Sequence, residues 1–334
     1  MATNFFLEKI KMKVVQIQKT GSCDTLEYVD MKTPNLAQGQ VLIKVKSISV
    51  NFADTMVRRG IYAPMPKLPA ILGMECSGYV KAVGEGVNQV AAGKRVAYMG
   101  EKCYAEYVLA NAESVIPIPD SIDFDLAAAF PINYLTVYHI LHSMARVKSG
   151  ETVLSYAAAG GVGVAVAQLS KLAGVISIGL TSTDEKTQFA KKQGYDYVVN
   201  YKTENIVARV REITNGKGVN LILNSMAGRS FSIDFKLLAP LGQIIWFGFA
   251  GGNLETDLTK RLSVAYNQSV GVRTFYLHSV PENLMAQSIK TLINYLEKKK
   301  IRPFIYKRIP LSEAAKAHEL IESGVTMGKI ILKP

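Results

Sequence analysis

The sequence predicts an α/β protein in which a doubly wound parallel sheet is inserted into a mostly β domain. Three observations support this prediction. Between residues 153 and 173, a short apolar strand, a glycine turn and a helical segment follow one another. Strand and helix patterns alternate after Pro131, whereas short strands and turns dominate before it. With 334 residues, the chain is long enough for two hydrophobic cores.

The composition argues against several classes of protein. No window approaches the roughly 18 uninterrupted apolar residues of a membrane-spanning helix. Charged residues follow Phe5-Phe6-Leu7 at once, so no signal segment is predicted and we expect a cytoplasmic protein. The cysteines, three in number and far apart, predict reduced thiols. Lys and Arg outnumber Asp and Glu by 39 to 27, which allows a nucleic acid partner, although no motif indicates one.

Residues 12–133 are predicted to form the first part of the β domain. Residues 1–11 resemble a loose extension, and the fold is expected to begin at Met12. The segment 41–50 mixes alternation with a buried apolar run, and glycines follow at the intervals typical of turns between short strands. This pattern predicts a compact, barrel-like domain.

Residues 134–277 are predicted to form the parallel sheet. The expected strands lie near 153 and at 175–180, 197–200, 221–224 and 244–249. Helices are expected at 135–144, 184–193 and 204–214, and Thr183 and Thr203 are predicted to cap the last two. Residues 278–334 contain a predicted helix at 282–299, a helical segment at 311–323 and a strand at 329–332. This tail is expected to return to the first domain.

The glycine turn at 157–163 indicates a dinucleotide. The fingerprint G-x-G-x-x-G falls on Ala158, Gly160 and Gly163, so alanine replaces its first glycine. Gly160 would let the main chain approach a pyrophosphate, and Gly163 would let the helix pack against the strand. An ordinary crossover turn is the alternative that the flanking sequence must exclude. The residues assigned to the phosphates are Ala159, Gly160, Gly161, Val162 and Gly163.

Several separated motifs occur in an order that identifies a family. They are Asn51-Phe52-Ala53-Asp54, Gly60-Ile61-Tyr62, Leu72-Gly73-Met74-Glu75-Cys76-Ser77-Gly78, Gly93-Lys94-Arg95-Val96, Leu135-Thr136-Val137-Tyr138, the turn 157–163 and Gly328-Lys329-Ile330. With them the chain closely resembles the zinc-independent quinone oxidoreductases, the zeta-crystallin-like branch of the medium-chain dehydrogenase/reductase superfamily. The resemblance implies a GroES-like catalytic domain interrupted by a Rossmann domain, NADPH as cofactor, and a homodimer formed through the Rossmann sheets.

The same resemblance implies that no metal is bound. The zinc enzymes of this superfamily place a cysteine where this chain has Asn51 and a histidine where it has Met74. Amide and thioether groups are poor zinc ligands, so catalysis without zinc is predicted.

The end of the second strand of the sheet predicts NADPH rather than NADH. An acidic residue usually holds the ribose hydroxyls there, but this strand ends in hydroxyl side chains. Asp184 and Glu185 are expected in the first turn of the next helix, where they suit its dipole. By resemblance, Ser182, Lys186 and Tyr201 match the set that selects the 2′-phosphate. A solvated lysine and a packed tyrosine are the alternative interpretation.

Further cofactor contacts are expected where the other strands end, because open parallel sheets bind ligands at their carboxyl edge. The side chains assigned to the nucleotide walls are Asn224, Phe247 and Phe249. Phe275 and Leu277 are expected to offer main-chain contacts, and Lys329 matches a family lysine that reaches the cofactor. Packing in the core is the alternative for the aromatic residues.

The resemblance implies hydride transfer from nicotinamide to a quinone or an α,β-unsaturated carbonyl. The polar groups expected around the reacting atoms are Asn51, Asp54, Tyr62 and Thr136. Met56 stands where the family often has a tyrosine, a departure that bears on the substrate. An alkenal, enone or enoyl-thioester reductase on the same scaffold is one alternative. An NADPH-binding protein that interacts with RNA and has little turnover is another.

Overall fold

The computed structural model describes residues 11–254 and 257–334, which divide into two compact units. The first, here called the split unit, contains the described residues up to 132 and those from 293 onward. The second, the inserted unit, lies between them, from Asn133 to Leu292. The extension expected at residues 1–11 falls outside the described residues except for Lys11, which begins the first strand.

The chain forms sixteen strands within the described residues. They are β1 Lys11–Ile17, β2 Leu26–Lys32, β3 Gln40–Val50, β4 Ala70–Ile71, β5 Glu75–Val83, β6 Arg95–Met99, β7 Tyr107–Asn111, β8 Val115–Pro117, β9 Thr152–Ser155, β10 Ile176–Thr181, β11 Tyr197–Asn200, β12 Val219–Asn224, β13 Leu238–Trp246, β14 Gly271–Thr274, β15 Ile305–Pro310 and β16 Lys329–Lys333.

Ten α-helices accompany the strands in the same described part of the chain. They are α1 Phe52–Arg59, α2 Phe124–Ala129, α3 Pro131–His139, α4 Gly161–Ala173, α5 Asp184–Gln193, α6 Ile206–Ile213, α7 Ser230–Leu237, α8 Leu258–Val264, α9 Glu282–Glu297 and α10 Ala314–Glu322. A π-helical turn, Ile140–Ala145, continues α3. None of the helices among these residues is long and apolar enough to cross a membrane.

The split unit is mostly β, as predicted. Its larger sheet has the order β15-β16-β3-β5-β6-β8, with β7 also pairing with β3, and β2-β1-β4 form a smaller sheet. The return of the C-terminal tail is explained by β16, which pairs antiparallel with β3 so that Ile330 lies opposite Val50. The side chains of Val14, Ile48 and Ile330 meet in the apolar core of this unit.

The inserted unit is a doubly wound sheet with the order β11-β10-β9-β12-β13-β14, and every pair in it is parallel. This is the strand order of dinucleotide-binding folds, and it reverses between β9 and β12. Its core takes an apolar residue from each of five strands: Leu154, Ile178, Val199, Ile222 and Ile244. The predicted fold class is therefore confirmed.

One predicted helix cap is confirmed, and three other local features differ from the prediction. Thr183 caps α5 as predicted, since its Oγ1 accepts a hydrogen bond from the Lys186 amide at 3.2 Å. The cap of α6 is Asn205 instead of Thr203, because Asn205 Oδ1 accepts from the Ala208 amide at 3.0 Å. Strand β13 begins at Leu238, before the predicted 244. The edge strand β14 was not predicted, since only four residues with little apolar character form it.

Candidate functional site

The turn between β9 and α4 has the geometry of a phosphate-binding loop. Gly160 precedes α4 in an extended conformation, and a Cβ added to it would meet only the Ala157 carbonyl oxygen, at 3.3 Å. A Cβ on Gly163 would lie 2.3 Å from the Ala158 carbonyl oxygen, so only glycine fits there. The amides of Gly161 and Val162 begin a helix of 13 residues that has no acidic side chain in its first turn. This arrangement suits a pyrophosphate.

The neighbouring strand explains the missing first glycine. A Cβ added to Gly179 on β10 would lie 2.7 Å from the Cβ of Ala158. The Ala158 amide also donates to the Leu180 carbonyl at 3.0 Å. The methyl group of Ala158 thus occupies space that the absence of a side chain at Gly179 leaves open. The turn keeps a close approach between loop and strand although its first fingerprint position is not glycine. Ala159 follows in a buried position.

The structure brings Ser182, Lys186 and Tyr201 to one edge of the sheet. Thr181 is paired with Asn200, and the Tyr201 amide donates to the Thr181 carbonyl at 3.0 Å, so Ser182 and Tyr201 continue adjacent strands. Lys186 lies in the first turn of α5, partly buried, and this burial lowers its pKa. Tyr201 is 42% exposed. Ser182 and Tyr201 thus follow the neighbouring ends of β10 and β11, and Lys186 lies in the first turn of the helix that comes after β10.

The carboxylates that follow β10 lie in the first turn of α5, as predicted, and one of them is bound by a side chain at the end of β11. Asp184 opens α5, and its Oδ1 accepts a hydrogen bond from Asn200 Nδ2 at 2.8 Å. Glu185 lies in the same first turn and faces solvent. Asp184 is thus bound to the end of β11. Its negative charge also interacts favourably with the positive N-terminal end of the α5 dipole.

Asn224, assigned to the nucleotide wall, ends β12 and binds the loop that follows it. Its side chain is completely buried, and Oδ1 accepts from the amides of Met226 and Ala227, both at 2.9 Å. Its Nδ2 donates to Ser230 Oγ at 2.8 Å and to Asp234 Oδ2 at 2.6 Å. An amide side chain can make four such bonds, and all four are made here. These bonds show that Asn224 shapes the loop that follows β12, and its assignment to the nucleotide wall stays a prediction.

The buried carboxylate of Asp234, which the sequence did not predict, supports the loop that follows β12. Asp234, on α7, accepts a hydrogen bond from the Tyr156 hydroxyl at 2.6 Å in addition to the bond from Asn224. Burial raises the pKa of Asp234 to about 7. Tyr156 directly follows β9 and Asp234 is 78 residues away along the chain, so no local pattern could have connected them.

The aromatic candidates in the inserted unit are partly committed to packing. Phe249 is 43% exposed, and its ring stacks edge-on against Trp246 at 4.9 Å. Phe247 is half-buried, and its amide donates to the Asn224 carbonyl at 3.0 Å. Phe275 and Leu277 are buried. The Phe275 amide donates to the Trp246 carbonyl at 2.9 Å, so this N–H is not available to a carboxamide. Thr136, on α3, is buried within the inserted unit.

In the split unit, Asn51, Glu75 and Lys329 form a buried polar triad. The pairing of β16 with β3 places Lys329 beside Asn51, because Ile330 lies opposite Val50. Lys329 Nζ donates to Asn51 Oδ1 at 2.7 Å and to Glu75 Oε1 at 3.1 Å, and Asn51 Nδ2 donates to the same Glu75 oxygen at 3.0 Å. Their exposed fractions are 6%, 0% and 5%. The sequence predicted Asn51 near the reacting atoms and Lys329 as a cofactor contact, but it did not predict their carboxylate partner, Glu75.

Asp54 stands at the beginning of α1, directly behind Asn51. Its Oδ2 accepts a hydrogen bond from the main-chain N–H of Asn51 at 2.8 Å, and Asp54 is only 1% exposed. Burial raises the pKa of Asp54 to about 7. Asp54 thus holds the backbone of Asn51 and does not present its carboxylate to solvent, and its place near the reacting atoms stays a prediction. Tyr62, by contrast, is half-buried and packs at the margin of the core.

The chemistry of the triad does not resemble that of a metal centre. Within residues 11–254 and 257–334, no group of three or more His, Cys, Asp or Glu side chains could hold a metal ion. Between Asn51 and Glu75 the local positive charge is the ammonium group of Lys329. Met74, next to Glu75, offers a thioether, which is a poor ligand for zinc.

Comparison with known proteins agrees with this geometry. Residues 37–120 match the alcohol dehydrogenase GroES-like domain family, and residues 193–332 match the zinc-binding dehydrogenase family. The chain is 34% identical to a quinone oxidoreductase of Pseudomonas aeruginosa, over 96% of this chain and 99% of that protein. The structure of Escherichia coli quinone oxidoreductase complexed with NADPH superimposes with a TM-score of 0.92 at 31% identity, and covers 96% of this chain and 100% of its own. A human synaptic vesicle membrane protein VAT-1 homolog-like protein gives a TM-score of 0.86 at 30% identity, with 98% and 99% coverage.

Proposed function

The chain belongs to the quinone oxidoreductases of the medium-chain dehydrogenase/reductase superfamily, and from this premise we propose that it is an NADPH-dependent, zinc-independent quinone reductase. The observation that carries the proposal is the group formed by Ser182, Lys186 and Tyr201 where β10 and β11 end. NADPH, when bound, supplies the hydride, and the protein supplies binding, orientation and polarity.

Lys186 is the residue we assign to the 2′-phosphate of the nucleotide. The first turn of α5 holds it beside the end of β10, and its partial burial limits the positions its ammonium group can reach. The carboxylate of Asp184, which could otherwise serve ribose hydroxyls, is bound to Asn200. A lysine ammonium group at this position favours a phosphate over a hydroxyl, because the hydrogen bond it donates to a phosphate is charge-assisted. Ser182 and Tyr201 would add a hydrogen bond and a stacking surface.

Asn51 is the residue we assign to the carbonyl of the substrate or the ribose of the cofactor. A lysine ammonium can only donate, so Lys329 fixes Oδ1 of Asn51 on its own side and turns Nδ2 toward Glu75. The Nδ2 group has two hydrogens, and the bond to Glu75 uses one. The second can be directed at an oxygen on which negative charge develops. Tyr62 is assigned as a further hydroxyl donor, and Thr136 as a polar group in the inserted unit.

We further propose that the protein is a homodimer that pairs through the inserted unit. One of the two outer strands of its sheet is β14, which has no neighbour on one side among the described residues. Large apolar side chains near this edge face solvent: Leu241, Val264 and Tyr266 are 75%, 74% and 82% exposed. An exposed sheet edge with adjoining apolar groups favours pairing with a second copy. Light scattering of the purified protein should give twice the mass of the chain.

Steady-state kinetics test the proposed reaction. The purified protein is mixed with NADPH or NADH and with benzoquinone, phenanthrenequinone or an alkenal, and the loss of reduced nicotinamide is followed by absorbance. We expect turnover of quinones with a preference for NADPH. Faster turnover of the alkenal would favour the enone reductase alternative, and equal use of NADH would contradict the assignment of Lys186.

Replacement of Lys186 by glutamate examines the phosphate contact directly. A lost charge-assisted hydrogen bond costs about 1.5–3 kcal/mol, so the KM for NADPH should rise roughly 10- to 100-fold while that for NADH changes little. Lys191→Glu is the matched control, because Lys191 lies on the same helix, is exposed and follows the site by more than a turn. An unchanged NADPH preference in Lys186→Glu would remove this residue from the site.

A further inference from the structure

Behind Asn51, four buried side chains form a continuous row of hydrogen bonds within the split unit. Arg58 Nε donates to His318 Nδ1 at 3.3 Å, His318 Nε2 and the Tyr104 hydroxyl are 3.0 Å apart, and this hydroxyl donates to Asp54 Oδ2 at 3.3 Å. None of the four is more than 1% exposed. We call Arg58, His318, Tyr104 and Asp54 the relay.

Arg58 fixes the direction of every bond in the relay. A guanidinium group can only donate, so His318 must accept at Nδ1 and carry its proton on Nε2. His318 therefore donates to the oxygen of Tyr104, whose own hydrogen is left for Asp54. Burial and the charge of Arg58 lower the pKa of His318 to about 3, which keeps its ring neutral. Arg58 is held in turn by the Gly21 carbonyl at 2.6 Å and by the carboxylate of Glu322.

At its other end, the relay meets the proposed site. Asp54 Oδ2 accepts both the Tyr104 hydroxyl and the Asn51 amide, whereas Oδ1 of Asp54 is buried and has no partner among the described residues. The carboxylate thus depends on two donors at one oxygen. Other charged groups that act on it are Lys329 on β16, which favours ionisation, and Glu75 on β5, which opposes it. Buried Cys103, next to Tyr104, lies close enough for its thiol to interact with the same carboxylate.

We propose that Tyr104 and His318 are positioning residues of the reaction: they carry the polarity of Arg58 to the Asp54 carboxylate and so hold the main chain at Asn51, from which its side-chain donor extends. This inference rests on the proposed quinone reductase function, in which Asn51 meets the carbonyl or the ribose. The relay stabilises the ionised form of Asp54. This is the form that binds the main-chain N–H of Asn51 most strongly. It makes no contact with substrate itself.

The proposal predicts a particular pH dependence. Burial raises the pKa of Asp54 to about 7, and the Tyr104 hydroxyl opposes that rise. As the pH falls through this range, Asp54 gains a proton, its bond to the Asn51 amide weakens, and kcat for quinone reduction decreases. Tyr104→Phe removes the opposing hydrogen bond, so the midpoint of this decrease should move to higher pH. Asp54→Asn cannot ionise, so its kcat should lose this transition.

The experiment compares pH profiles of kcat with saturating NADPH and quinone in the wild type, Tyr104→Phe, His318→Leu and Asp54→Asn. The control is Tyr134→Phe, because Tyr134 is 1% exposed and its hydroxyl donates to Gln168 at 2.8 Å, in the inserted unit. This control should keep the wild-type midpoint, whereas Tyr104→Phe and His318→Leu should raise it. Tyr104→Phe should also lose about tenfold in kcat at neutral pH, as expected for a hydrogen bond to a charged group.

A second readout separates this inference from the proposed function. The carboxyl carbon resonance of Asp54, in protein labelled at aspartate and assigned with Asp54→Asn, reports its titration without turnover. A higher midpoint of this resonance in Tyr104→Phe supports the relay even if no quinone is reduced, in which case only the proposed function fails. Turnover of quinones with the same midpoint in the wild type and Tyr104→Phe, by both readouts, would overturn the role of Tyr104 and His318.

Discussion

The buried contact between Lys329 and Glu75 makes a quantitative prediction about stability. Their atoms Nζ and Oε1 are 3.1 Å apart, and the side chains are 5% and 0% exposed. When Lys329 is replaced by methionine, the donors that remain to the Glu75 carboxylate among the described residues are Asn51 Nδ2 at 3.0 Å and the Ile132 amide at 2.9 Å. A buried negative charge then remains without its cation, and the split unit should be strongly destabilised.

The magnitude follows from the distance and the burial. Two unit charges at the separation of this pair attract by about 5 kcal/mol at an effective dielectric constant of roughly 20. Removal of one partner from a buried pair usually costs about 3–5 kcal/mol. Replacement of both charges, in Lys329→Met with Glu75→Gln, removes the isolated carboxylate. The double variant should therefore recover most of the lost stability, to within about 1–2 kcal/mol of the wild type.

Urea unfolding can measure these differences in each unit. The one tryptophan of the sequence, Trp246, lies in the inserted unit, so its fluorescence reports on that unit, whereas circular dichroism reports on both. With a slope of roughly 2 kcal/mol per M, Lys329→Met should lower the midpoint of the split unit by about 2 M. The reasoning would be refuted by a loss below about 1 kcal/mol in Lys329→Met, or by a double variant no more stable than that single variant.

Two further predictions concern the inserted unit. Gly163→Ala places a Cβ 2.3 Å from the Ala158 carbonyl oxygen, so it should destabilise the unit by about 1–3 kcal/mol and weaken NADPH binding in calorimetry. Gly160→Ala is its control for folding, because its Cβ meets only one atom at 3.3 Å, and equal stability of the two variants would contradict this account. Burial raises the pKa of Asp234 from 3.8 to about 7, so its contribution to stability, present at low pH, is lost as the pH rises through that range. In Asp234→Asn the free energy of unfolding, followed by thermal denaturation between about pH 5 and pH 8, should fall less steeply than in the wild type, and equal slopes would refute the assignment.

The sequence predicted the features that depend on local pattern or short spacing. Strand β11 begins and ends where expected, and Thr183 caps α5. The parallel, doubly wound sheet could be inferred because alternating strands and helices favour right-handed parallel crossovers. Contacts between residues far apart in the chain could not be inferred. Glu75 and Lys329 are separated by 254 residues, and only the pairing of β16 with β3 brings them together.

The motif Asn51-x-x-Asp54 shows why local patterns mislead about roles. A polar residue followed three positions later by an acid is typical of a helix start as well as of a polar site. The structure uses Asp54 in the first sense, because its carboxylate binds the Asn51 amide inside the protein. Asn51 serves in both senses, since its backbone precedes α1 while its side chain joins the triad. The spacing alone could not distinguish the two residues.

The glycine fingerprint also shows a limit of local patterns, because the space available to a side chain depends on a second segment of the chain. The fingerprint is defined along one segment, but the constraint behind it is a close approach between two segments, the loop after β9 and the neighbouring strand β10. An added Cβ at Gly179 would lie 2.7 Å from Ala158 Cβ and 3.1 Å from the ring of Tyr195. Only one side chain fits in that space, and in this chain it belongs to the loop. The alanine at the first fingerprint position is therefore compatible with the turn, because the residue that faces it on β10 is the glycine Gly179. A sequence can lose a fingerprint glycine and keep the phosphate-binding geometry wherever the facing residue makes the room.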